Sequence, residues 1–232
     1  MKRILLVSIA IVAIAMLVLV VMRPKLEPDP PLPAPNGYDD FVKAAQLVVP
    51  NPPDWQSLNG DEQLQVLRKF TATNQAALDL VREGLTKECL MVPWEMNATS
   101  GLHLNELGMS KAVAQVIVAA SALALVEGRT NDAAILAVDC VSYGGELGRG
   151  GVLIDGLVAL AVKAIGLSCL QPAVDGMDAE NACQAIAALD QVIARTESYD
   201  VVMKRERQWA RRGRCGSRRP AGRVPDLARV PE

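Results

Sequence analysis

Five cysteines, one histidine, a crowd of glycines and two charges inside an apolar stretch are the residues of this 232-residue chain whose types and spacing bear on chemistry. The cysteines stand at 89, 140, 169, 183 and 215, and no two form C-x-x-C. With a single histidine, a zinc site would need four thiolates at gaps such as 51, 29 and 14, far from the spacing of compact zinc motifs. Cys140 reads as a small core residue. Cys169 and Cys183, near the end of one helix and the start of the next, are the candidate disulfide if the body is exported; closing that loop would stabilise by about 3 kcal/mol in the chain-entropy model. His103 lies in the polar stretch Asn97–Leu104 and could serve as a base, but no G-x-S-x-G or similar nucleophile motif accompanies it. It reads as a solvated loop histidine. Asn97-Ala98-Thr99 matches a glycosylation sequon.

Gly144, Gly145, Gly148, Gly150 and Gly151 crowd one turn, yet there is no G-K-[ST] and no preceding strand, so both standard phosphate-loop patterns fail. They read as a flexible helix–helix connection. Asp155 and Lys163 are the only charges in the apolar stretch Gly151–Leu170; either both border solvent or Asp155 faces a buried partner, and a partly exposed helix edge is the expected setting, because unpaired charges are rarely buried. No catalytic, cofactor-binding or metal-ligating set assembles, so neither enzyme activity nor a cofactor is expected. Eight aromatics argue against a stacking platform for single-stranded nucleic acid.

The elements that hold these residues are helical. Tyr38, Phe41, Val42, Ala45, Val48 and Val49 recur with helical period until Pro50-Asn51-Pro52-Pro53 stops the run. A second stripe runs from Asp61 to about Lys87 but is broken by Thr71 and Asn74: either one helix with a polar kink, or two joined near Asn74 with that residue as cap. Lys111–Glu127 is apolar on every side and reads as a central helix closed by Gly128. Helices are further expected from Thr130 or Asn131 to about Ser142, over Gly151–Leu170, after a cap at Asp178, and from Ser198 to about Arg212. No stretch keeps the period-two alternation of a strand. The class is all-α.

Charge and hydropathy set the organisation. Residues 1–25 carry a net +4, residues 26–203 a net −13 and residues 204–232 a net +7, so the overall −2 conceals an acidic body between basic ends. Ile4–Met22 is 19 residues long with Ser8 its only polar member, about the span of a bilayer's hydrocarbon. It lacks a small-x-small cleavage site at its end, which predicts an uncleaved signal-anchor over 1–22. Residues 23–37 are proline-rich and predict an extended spacer of up to about 40 Å. Residues 38–203 form the helical domain. Residues 204–232 form a basic tail whose Arg/Gly/Pro/Ala content predicts disorder.

Gly128-Arg129-Thr130-Asn131-Asp132-Ala133 joins two helices through a short turn, with small residues at Ser121, Ala124, Ala133, Ala137 and Cys140. On these residues the pair 111–142 resembles a tetratricopeptide-type or α-solenoid hairpin. The likeness covers about 32 residues, and Ile117 stands where that family has a large aromatic. The layout is also similar to bacterial proteins that join a membrane anchor to a helical domain. The resemblance implies a scaffold that binds other proteins and carries no catalytic residues. The expected function is therefore a single-pass, membrane-anchored, extracytoplasmic helical scaffold or adaptor, held in the inner (cytoplasmic) membrane by residues 4–22. Its partners would be proteins, with nucleic acid unlikely on so acidic a body. The alternatives are an anionic-surface binder acting through the basic tail and an enzyme with a carboxylate site that converges only in three dimensions.

Overall fold

A computed structural model describes residues 30–92, 94 and 100–216, and the expected anchor, the first part of the spacer, the sequon and residues 217–232 lie outside them. Among the described residues there are eight α-helices, one short 3-10 turn (Trp55–Ser57) and no strand. The chain is all-α there, as its periodicity predicts.

Helix α1 (Gly37–Leu47) starts at Asn36, whose carbonyl oxygen accepts the N–H of Tyr38 at 3.2 Å. The same side chain exchanges bonds with the backbone of Leu90, at 3.0 and 2.8 Å, so one cap also fastens the segment after α3. Of the expected face Tyr38, Phe41, Ala45 and Val48 are buried, joined by Ala44, while Val42 is half-buried and Val49 exposed. The broken stripe resolves into two helices, α2 (Gly60–Thr73) and α3 (Gln75–Leu85). Asn74 makes the break, but not as a conventional cap. Its buried amide donates back to Phe70 O at 3.0 Å and accepts the N–H of Val49 at 2.7 Å, so it closes α2 and pins the end of α1.

Helices α4 (Ser100–Val126), α5 (Thr130–Leu147) and α6 (Leu153–Val174) make the centre. Helix α4 begins eleven residues before the expected Lys111, which places His103 in its first turn rather than in a loop. Ser121 Oγ donates to Ala133 O at 2.9 Å, and Ala124, Ala133 and Ala137 are fully buried, so small side chains let α4 and α5 approach closely. The glycine-rich stretch needs a correction. Gly144 and Gly145 are helical residues of α5, and only Gly148–Gly151 turn the chain, with Gly150 at φ +80°. A Cβ on Gly144 would meet the backbone N of Lys163 at 2.8 Å, so that glycine is a packing surface and not a hinge.

Helix α7 (Ala179–Arg195) is capped by Asp178, which accepts the N–H of Asn181 at 2.8 Å. Helices α6 and α7 both pack on α5. Helix α8 (Tyr199–Gly216) matches the helix expected from Ser198 to about Arg212 and runs slightly beyond it, so the first part of the expected tail, from 204, is helical. Arg205 explains why: it donates to Glu197 at 2.6 and 2.9 Å and to Gly151 O at 2.7 Å, while Glu206 accepts the N–H of Leu153 at 3.0 Å. By length and hydropathy, Gly101–Val126 and Leu153–Val174 are able to cross a membrane. The first has 61% of its apolar window buried, which makes it a core helix; the second has 22% and leaves an apolar face uncovered.

Cys140 is fully buried, as a small core residue should be, while Cys169 is half-buried, Cys183 is exposed, and both of these thiols are free. Asp139 sits on α5 with 27% of its side chain exposed and Arg82 at 3.9 Å. Burial raises its carboxyl to about 6 from an ordinary 3.8, against the opposing pull of Arg82. A raised acid is held protonated by the fold, so its stabilising effect is complete below about pH 4 and lost as pH rises toward 6. Asp139→Asn is expected to add about 1–2 kcal/mol at pH 7 and nothing at pH 4. Urea midpoints across that range check it, and a wild-type-to-variant difference that stays constant with pH overturns it.

Candidate functional site

The chain's one histidine and the charge in α6's first turn meet. His103 Nε2 lies 2.5 Å from Asp155 Oδ1, with 5% of the histidine and none of the aspartate exposed. The expectations of a solvated loop histidine and of an aspartate on an exposed helix edge are both corrected by this one contact. Each group that seemed to lack a partner is the other's partner. Lys163, the second charge of α6, is half-buried, and Gly144 packs against its backbone.

Asp155 is the third residue of α6, and its Oδ2 reaches back to accept the N–H of Val152 at 2.7 Å, the carboxylate half of a capping box. Val152 itself has no side-chain acceptor to complete the box. A Cβ at Gly151 would collide with the Asp155 side chain at 2.5 Å, so that glycine makes room for the turn. Trp94 Nε1 donates to the same Oδ2 at 3.4 Å. The indole stacks on His103, with centroids 4.3 Å apart and planes 23° from parallel. Trp209 of α8 leans on Trp94 at 4.7 Å and donates from its Nε1 to Trp94 O at 3.0 Å. Four parts of the chain thus converge: the segment before α4, the first turns of α4 and α6, and α8.

An ionised carboxylate only accepts, so the Nε2 that faces Asp155 carries a proton and donates it. The other ring nitrogen, Nδ1, lies 3.7 Å from Glu106 Oε2, one turn along α4. Here His103 borders an open cavity of about 510 Å³ whose walls include Tyr38, Trp94, Leu102 and Glu106. Burial pushes the Tyr38 phenol well above its ordinary range, and the negative charges of Asp155 and Glu106 push it further.

Chemically, a histidine oriented by a buried carboxylate is two-thirds of the arrangement that activates a nucleophile. The remaining third is missing: among the described residues no hydroxyl or thiol hydrogen-bonds His103. Nor do three metal-ligating side chains gather anywhere among them. What the arrangement does is hold an imidazole rigidly at the edge of a cavity with acidic and aromatic walls. Sequence reasoning singled out His103 and Asp155 but not Tyr38, Trp94, Glu106 or Trp209. Compared with protein-family models, curated proteins and solved structures, the chain matches none.

Proposed function

We propose that this protein is a membrane-tethered helical adaptor. In this reading Ile4–Met22 is a single-pass anchor, the proline-rich segment is a spacer, and the extracytoplasmic helical body binds a protein partner and performs no catalysis. The two positive flanks of the apolar run, its length and its lack of a cleavage site support the tether. The likeness of 111–142 to solenoid hairpins supports the scaffold.

One structural observation carries the binding claim: an uncovered apolar stripe on α6. Leu153, Leu157, Leu160, Leu167 and Val174 follow one another at spacings of four, three, seven and seven and are all exposed, Leu160 the most at 59%. On the opposite face Ala159, Val162, Gly166 and Ala173 are buried against the core. The stripe runs about 30 Å along the helix, and its three-and-four stepping fits a second helix laid in register. Covering a leucine is worth about 1.5–3 kcal/mol at full burial, so several half-exposed leucines amount to a substantial driving force for association.

A membrane-impermeant, amine-reactive crosslinker applied to intact cells tests location and binding together, since Lys163 flanks the stripe. The expected result is a discrete adduct that Leu157→Ser with Leu160→Ser removes, without loss of helicity. An adduct unchanged in that double variant, or none above an anchor-only control, sinks the proposal. A second reading has its own observation: Lys204, Arg207 and Arg211 are exposed at helical spacing on α8, suited to an anionic lipid surface. That reading expects salt-sensitive adhesion to phosphatidylserine vesicles that the Leu157/Leu160 variant keeps.

A further inference from the structure

We infer that the cavity beside His103 is a binding site for an organic cation, a primary ammonium or guanidinium group. Its volume of about 510 Å³ falls in the range of small-molecule sites. Three features set the ligand's chemistry.

The first is the phenol of Tyr38. The residue is 5% exposed and lines the cavity, and its hydroxyl makes no hydrogen bond to a described residue. It opens onto the cavity and has no protein partner among the described residues, so this oxygen is available to hydrogen-bond a ligand. Nor is its oxygen among the fully enclosed unpaired atoms, where Thr71 Oγ1 alone stands. Tyr38 therefore opens onto the cavity rather than into packed protein.

The second is the sign of the charge. Asp155 lies behind His103, Glu106 stands beside it, and Asp39 is at the rim. Among the described lining residues the one lysine or arginine, Lys43, is tied to Asp40 at 3.3 Å. Burial first, then the negative charges of Asp155 and Glu106, disfavour ionisation of Tyr38, in keeping with the acidic groups placed around its hydroxyl. The field of those groups repels carboxylates and phosphates and attracts a cation.

The third is the wall. The Tyr38 ring lines the cavity, and aromatic surface attracts a weakly hydrated cation through the ring quadrupole. Val42, Val92 and Leu102 supply room for the alkyl stem. Glu106, with 46% of its side chain exposed, is free to close on the charged end. An ammonium or guanidinium on an alkyl stem meets all three demands, whether it is a free amine or the side chain of a peptide.

The single histidine supplies a clean readout, because its ring protons give one assignable NMR signal from within the site. Titrating the full chain in detergent with n-butylguanidinium is expected to shift that signal saturably. Glu106→Gln and Tyr38→Phe should each weaken binding about five- to tenfold, the worth of one charge-assisted hydrogen bond. Neutral n-butanol and anionic butyrate should not shift it. N-acetylarginine amide distinguishes the sources: tighter binding than n-butylguanidinium assigns the site to a peptide side chain, and equal or weaker binding assigns it to a free amine. The inference is overturned if n-butanol binds as well as the cation. It is equally overturned if no saturable shift occurs, or if Glu106→Gln, with unchanged circular dichroism, binds n-butylguanidinium as the parent does.

Discussion

Asp155→Ala is expected to destabilise the protein by about 3–5 kcal/mol, a large share of the 5–15 kcal/mol that holds a typical domain together. The aspartate is fully buried and accepts from three donors: His103 Nε2, the N–H of Val152 and Trp94 Nε1. Removing it leaves the buried His103 Nε2 and Val152 N–H and the half-buried Trp94 N–H without their acceptor, and each stranded buried donor costs about 1–3 kcal/mol, less than additively in a shared network. The first turn of α6 loses its cap at the same time. Asp155→Asn keeps the volume and one acceptor oxygen but turns an amide toward a donor, so an intermediate loss of about 1–3 kcal/mol is expected. Urea unfolding measures both, as a lower midpoint with unchanged slope. A loss below about 1 kcal/mol for the alanine variant would show that the pair contributes little beyond shape, as some buried ion pairs do.

At the α5–α6 interface, the same substitution at two glycines of α6 should have opposite signs. A Cβ on Gly166 would meet the backbone N of Val141 at 2.8 Å and the carbonyl of Ala137 at 3.0 Å, so alanine there must push two helices apart. The cost expected for Gly166→Ala is about 1–3 kcal/mol, and more for valine. Gly156, also helical, has nothing within 4 Å of where its Cβ would stand. Gly156→Ala should therefore stabilise by about 0.5–1 kcal/mol, because glycine loses more backbone freedom on folding than alanine does. Thermal melts of the two variants beside the parent decide the point. Equal signs would mean that backbone contact between α5 and α6 is not what positions α6, and with it Asp155.

Much of the helix layout was legible because it is a local property. The stripe from Tyr38 to Val49 repeats within a few turns, Asp178 precedes its helix as caps do, and Gly128 sits where a chain must adopt φ +75°. Where the reading slipped, the deciding partner was remote. Asn74 was recognised as a break, but its role is settled by Val49, 25 residues away. Gly144 and Gly145 looked like a hinge because crowded glycines usually are; the neighbours that need them glycine, Lys163 and Val192, lie on other helices. The helix expected from Ser198 to about Arg212 is present, but the remote contacts that dock it, Arg205 with Glu197 and Gly151 and Trp209 with Trp94, were not legible.

The candidate site is the extreme case. His103 and Asp155 are 52 residues apart, and Tyr38 and Trp209 are farther still from one another. A charge alone in an apolar helix is rightly read as exposed, since burying it unpaired is costly, and a histidine with no local partner is rightly read as solvated. Both readings fail together because the penalty vanishes once each becomes the other's partner. By itself the amino-acid order determined what neighbours along a turn can decide: helical class, where helices start and stop, which face is greasy, and the sign of charge in the two ends and the body of the chain. Closure of the chain over fifty or more residues decided which polar groups share a burial site, which glycines are contacts, and that α6 leaves one apolar face bare. Periodicity acts through bonds a few residues long, whereas the desolvation of a charge depends on whatever the whole fold brings beside it.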